Sequence, residues 1–128
     1  MREMKEAEFW LESAKDLLIK EASSGEKYTV IVAQAIHSII RANDALTLKF
    51  LGKTGVRHDD APELFLELVR TNKIPAKYAD LRKKILIPAV KTKSIADYRG
   101  LKVSKADAEN WVRLAEKFLD MARDSLLS

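Results

Sequence analysis

The stretch from Glu26 to Asp60, EKYTVIVAQAIHSIIRANDALTLKFLGKTGVRHDD, decides the fold. Within Val30 to Ile40 the polar residues are only Gln34, His37 and Ser38. Val30, Ile31, Val32 and Ile36 are β-branched and locally favour a strand. The helical spacing nonetheless continues through Ile39, Ile40, Leu46 and Phe50, far beyond an ordinary strand. The stretch therefore reads as one long helix from Tyr28 to Leu51, apolar on most faces and the central element of the fold. Gly52 and Gly55 bracket the loop after it, as expected for a helix stop. That loop delivers His58 within Arg57-His58-Asp59-Asp60.

Outward on the N-terminal side, Arg2 to Ala22 carries Ala7, Trp10, Ala14, Leu17 and Leu18 at the spacing of a helix with one buried face. Ser23-Ser24-Gly25 stops it. On the other side, Asp59 or Asp60 is a suitable N-cap, with Pro62 and Glu63 in the first turn. Leu64, Phe65, Leu68 and Val69 give that helix an apolar face, and Asn72 with Ile74-Pro75 ends it. A fourth helix is expected from Ala76 to about Ala89, with Tyr78, Leu81, Ile85 and Leu86 inward and Pro88 limiting or kinking its end. Lys91 to Val103 reads as a long basic connection containing Tyr98-Arg99-Gly100. Ser104-Lys105-Ala106-Asp107 is a capping-box signal. It opens a last helix with Ala108, Trp111, Ala115, Phe118, Ala122 and Leu126 on one stripe. Four to five helices joined by short loops predict an all-α antiparallel bundle, one domain spanning residues 1–128.

The totals agree with that class. The 128 residues suffice for one core without metal or disulfide support, and there is no Cys. Four Gly and three Pro leave little material for the tight turns of an all-β fold. No segment approaches the length of an uncharged membrane span, and MREMKEAEFW lacks the apolar run of a signal peptide, so the expected location is cytoplasmic. The net charge of +4 is unevenly spread. Residues 70–105 hold eleven basic side chains and two acids, whereas the remainder holds twelve basic and seventeen acidic ones. This positive surface suits an anion or an acidic partner, although lysine-rich helix faces are often merely solvated.

Candidates for chemistry are few. His37 lies one turn before Arg41, and both share a helix face with Asp44. The plain reading of His37 is a half-buried histidine satisfied by a neighbour, and that of His58 a loop or capping histidine. Two histidines without HxxxH spacing, no Cys and no dense carboxylate cluster give no metal site. No P-loop, GxGxxG or Gly-x-Ser-x-Gly is present, so no cofactor and no catalytic residue is assigned. Tyr78 and Tyr98 alone are too few for a stacking platform beside the basic region.

With these residues in hand, the chain resembles the HEPN domain family (higher eukaryotes and prokaryotes nucleotide-binding). The resemblance rests on Ser13-Ala14-Lys15-Asp16-Leu17-Leu18 in the first helix and on Ala33-Gln34-Ala35-Ile36-His37-Ser38 through Asp44-Ala45-Leu46 to Gly52 in the second. It continues with His58-Asp59 followed by Leu64, and with Ala108, Ala115 and Leu119 in the last helix. Order and spacing together cover nearly the whole chain. The resemblance implies a helical bundle that usually forms homodimers, often with a site at the dimer cleft. Many members accompany a minimal nucleotidyltransferase, and others are metal-independent ribonucleases of toxin–antitoxin or defence systems. The ribonuclease branch uses R-x(4–6)-H. Here Lys53, Gly52 and Leu51 precede His58 at that spacing, and Val32, Ile31 and Val30 precede His37, so the motif is absent.

The reading expected from this resemblance is a non-catalytic member binding a nucleotide, RNA or an acidic partner such as a nucleotidyltransferase subunit. Arg99, Tyr98, Lys91, Lys93, Arg41 and His58 are the expected ligand-binding residues, with the cations on phosphate. The alternative is a divergent ribonuclease in which a histidine works with Arg41, Arg57 or Arg99.

Overall fold

The apolar stretch is helical from Glu26–Leu51 (α2), about 39 Å at 1.5 Å per residue. In this computed structural model residues 1–21, 24–96 and 102–127 are described, without the side chains of residues 58 and 94–96. The other helices are α1 (Arg2–Ile19), α3 (Ala61–Arg70), α4 (Ile87–Ala96) and α5 (Lys105–Leu127). No strand occurs among the described residues, so the fold is an all-α bundle. No helix among them is long and apolar enough to cross a membrane.

The β-branched residues of α2 are tolerated in a helix because packing outweighs propensity. Ile31, Val32, Ile36, Ile39 and Ile40 are all buried, and α2 touches α1, α3, α4 and α5. Gly52 closes the helix in the left-handed region (φ 71°), its N–H bonding the Leu48 carbonyl at 3.1 Å. The helix is not enclosed all round. Val30 is exposed, and Gln34, His37, Arg41 and Asp44 form a half-buried stripe along one side.

Alanines recur every seven residues on three helices: Ala7 and Ala14 on α1, Ala35 and Ala42 on α2, and Ala108, Ala115 and Ala122 on α5. All are fully buried. Such small side chains let helix axes approach toward the short end of the usual range, near about 8 Å. Polar pairs fix the relative heights of the three helices. Arg41 meets Glu6 at 3.0 Å, Arg123 meets Glu8 at 3.1 Å, Lys15 pairs with Glu116, and Lys49 Nζ reaches the Leu126 carbonyl at 3.3 Å.

Two expected stretches differ. On α1 the buried stripe is Met4, Ala7, Leu11 and Ala14, while Trp10 is 38% exposed at its margin. The fourth helix does not occupy Ala76 to Ala89. Ala76–Tyr78 is a short 3-10 turn, and Arg82–Leu86 is a wide π turn that runs into α4 and continues past Pro88 to Ala96. Pro88 has no N–H for the carbonyl one turn back, and its ring crowds that carbonyl. The wide turn, with the Ile87 N–H on the Arg82 carbonyl, relieves the conflict and lets the helix continue. Arg82 anchors this segment through the Pro62 carbonyl and Glu63, both at 2.9 Å.

The signals at Gly52, Asn72 and Ser104 hold. By contrast, α1 ends at Ile19, with Lys20 extended, short of the expected stop at Ser23-Ser24-Gly25, and Asp60 precedes α3 without a side-chain cap bond. Asn72 adopts φ 57°, with the Lys73 N–H on the Leu68 carbonyl (2.9 Å) and the Asn72 N–H on the Val69 carbonyl (3.1 Å), a Schellman closure of α3. Ser104 and Asp107 cap α5 reciprocally: the Asp107 N–H bonds Ser104 Oγ at 3.1 Å and the Ser104 N–H bonds Asp107 Oδ2 at 3.0 Å.

Candidate ligand pocket

The half-buried stripe of α2 meets the loop after it to form a surface pocket of about 200 Å³. His37, Ile40, Arg41 and Asp44 come from α2, and Gly55, Val56, Arg57 and Ala61 close it from the loop and the start of α3. The loop folds tightly because Asp60 Oδ2 accepts the Arg57 N–H at 3.0 Å and the Asp60 N–H bonds the Arg57 carbonyl at 3.1 Å. Gly55 fits inside that closure. A Cβ there would stand 2.8 Å from Asp60 Cβ and 3.0 Å from the Arg57 carbonyl oxygen.

Arg41 is held by carboxylates from two helices. Its Nε and Nη2 bond Glu6 Oε2 at 3.1 and 3.0 Å, Nη1 bonds Asp44 Oδ2 at 2.8 Å, and Glu3 Oε2 lies 3.8 Å from Nη2. Its side chain is only 26% exposed. Burial works against its charge, but the hydrogen bonds to Asp44 and Glu6 outweigh it and raise the guanidinium above its ordinary range. Arg57 differs. Its side chain is 75% exposed at the rim and bonds Asp59 at 2.9 Å, which also raises it. Arg41 is thus a fixed cation between α1 and α2, and Arg57 a rim cation that can exchange its partner.

His37 is half-buried, with Trp10 of α1 against it edge to face at a centroid distance of 4.9 Å and 74° between planes. Trp10 in turn lines a second hollow of about 260 Å³ with Glu6, Phe9 and Ser13. Phe9 is 68% exposed. No group of three or more metal-ligating side chains occurs among the described residues.

Of the expected ligand residues, Arg41 lines the pocket, and His58 stands in the 3-10 turn His58–Asp60 directly after the lining residue Arg57. Lys91 and Lys93 lie on α4 rather than on a connecting loop, and neither lines this pocket. Tyr98 and Arg99 lie outside the described residues. The basic region is also less free than its composition suggests, since Arg82 is tied to Glu63 and Lys84 to Asp80 at 2.9 Å each. Gly55, Val56, Glu6 and Trp10 are site residues that sequence reasoning misses. The available signal is the Gly55-Val56-Arg57 turn after a helix stop, together with an aromatic pair that a single buried stripe cannot accommodate.

Comparison with known proteins gives no match: no family model, no curated protein and no solved structure matches the chain.

Proposed function

We propose that the chain is a non-catalytic HEPN-like antiparallel bundle that binds a phosphate-bearing ligand, a nucleotide above all, at the mouth of the Arg41–Arg57 pocket. The observation that carries this reading is the convergence of one fixed and one exchangeable arginine on a pocket walled by His37. Arg41 already has its carboxylates, Glu6 and Asp44 with Glu3 nearby, so it supplies neither a free donor nor net positive potential, and Arg57 is the cation left to meet phosphate. Arg57 would trade Asp59 for phosphate as a forked donor. A volume of about 200 Å³ falls below the roughly 300 Å³ of small-molecule sites, so the pocket takes a phosphate and adjoining atoms rather than a whole nucleotide. A second copy in a homodimer, or a nucleotidyltransferase subunit presenting an acidic surface, is the partner implied by the HEPN resemblance. Titration calorimetry with 5′-nucleotides at low salt tests the reading. Binding that is lost in Arg57→Ala, with the thermal midpoint unchanged, is the expected result. No heat at millimolar nucleotide removes the reading.

A second reading, a divergent HEPN ribonuclease, has one observation in its favour: His37 shares the pocket with Arg57, as an acid–base group beside a phosphate-binding cation would. RNA cleavage that persists undiminished in His37→Ala excludes it.

A further inference from the structure

The two hollows beside α1 and α2 share a wall. The Trp10–His37 ring pair stands between them, and Glu6, which lines the second, holds Arg41, which lines the first. At about 200 and about 260 Å³ each is smaller than the roughly 300–1,000 Å³ of a small-molecule site, so a ligand using both lies over the ring pair rather than inside one cavity. Their chemistry is complementary. One end offers the exposed guanidinium of Arg57, and the other offers the rings of Phe9 and Trp10, 68% and 38% exposed. Two adjacent aromatic side chains left this open on α1 adjoin a cation-bearing pocket through the 4.9 Å contact of Trp10 with His37, a combination suited to stacking a base while fixing its phosphate.

We propose that Phe9 and Trp10 form a base-stacking shelf, so that the ligand is a nucleotide with its base on the shelf and its phosphate at Arg57. This rests on the phosphate-pocket reading above. Ser13 and the carboxylate of Glu6 border the shelf and supply an O–H donor and an acceptor toward base edges. The shelf carries no apparatus to select one base by shape, so purines, with the larger π face, bind ahead of pyrimidines.

The chain has two tryptophans, and Trp111→Phe leaves Trp10 as the reporter. In that background AMP, GMP, CMP, UMP, ribose 5-phosphate and inorganic phosphate are titrated while Trp10 emission and binding heat are followed. The expected result is quenching of Trp10 by the nucleotides, with AMP and GMP binding about tenfold or more tighter than ribose 5-phosphate, the gain that one base stack provides. Phe9→Ser, at a position already exposed, removes most of that gain and leaves ribose 5-phosphate binding unchanged. A tetra-adenylate that binds more than tenfold tighter than AMP identifies a strand rather than a free nucleotide as the source of the base. Ribose 5-phosphate binding as tightly as AMP, without quenching, overturns the shelf but leaves the phosphate pocket standing. No binding by any of the six probes overturns both.

Discussion

Replacing Arg41 by methionine keeps the length and helix propensity of the side chain and removes its charge. The guanidinium makes charge-assisted hydrogen bonds to Glu6 and Asp44, whose side chains are 41% and 20% exposed, and it stands 3.8 Å from Glu3, 13% exposed. Breaking a fully buried pair costs about 3–5 kcal/mol and losing an exposed one about 0–1 kcal/mol. With Arg41 itself 26% exposed, an intermediate loss of about 2 kcal/mol is expected, and Arg2, 3.3 Å from Glu6 and 3.4 Å from Glu3, keeps it from being larger. For a chain of this length that corresponds to a fall of roughly 8 °C in Tm. Urea unfolding followed by circular dichroism at 222 nm measures the loss. A cycle with Glu6→Gln isolates the pair, and a coupling of about 1 kcal/mol is expected. An Arg41→Met variant within about 0.5 kcal/mol of the parent, or strictly additive single changes, would refute the assignment of Arg41 as a fixed strut between α1 and α2.

Gly55→Ala forces a Cβ to 2.8 Å from Asp60 Cβ and is expected to destabilise by about 1–2 kcal/mol and to weaken any ligand binding at the pocket, measured by melting and calorimetry. Asn72→Gly relieves the left-handed cap and raises stability by about 0.5 kcal/mol in urea titration. Gln34→Met removes a buried carbonyl oxygen that has no hydrogen-bond partner among the described residues, and a gain of about 1 kcal/mol is expected from the same assay. Asp107 is held below the usual carboxylate range, first by the Ser104 N–H and then by the Ser104 hydroxyl. A depressed carboxylate stabilises the fold above its unfolded range, and that contribution disappears as pH falls through the folded value. Asp107→Asn is therefore expected to flatten the acid side of the stability–pH profile, and an unchanged profile contradicts the cap.

What was legible in the sequence is what depends on near neighbours. The Ser104–Asp107 box, the stop at Asn72 and the end of α2 at Gly52 each involve groups within a few residues, and their chemistry is written in residue type. The long helix was legible because its apolar period outlasts any strand. The pocket was only half legible. His37, Arg41 and Asp44 fall on one face by spacing alone, but Glu6 reaches Arg41 across 35 residues of chain, and no local pattern announces that. Trp10 misled because it sits one residue from Leu11, and hydrophobicity alone cannot separate an aromatic at the edge of a stripe from one at its centre. Pro88 reads as a helix terminator in isolation. The wide turn that accommodates it six residues earlier has no residue signature of its own.

That wide turn makes the segment sensitive to length rather than to composition. A π turn takes up one residue more than an α-helix needs for the same hydrogen-bonded closure, so everything after it is rotated by about 100°. Ala89 and Val90, both buried, face the core because of that offset. Exchanging Lys83 or Lys84, whose side chains are exposed, leaves the count intact, whereas deleting either one rewinds the turn, swings Ala89 and Val90 toward water and brings Pro88 back against an unyielding carbonyl. The stretch 82–90 thus behaves as a ruler: tolerant of spelling, intolerant of a missing letter.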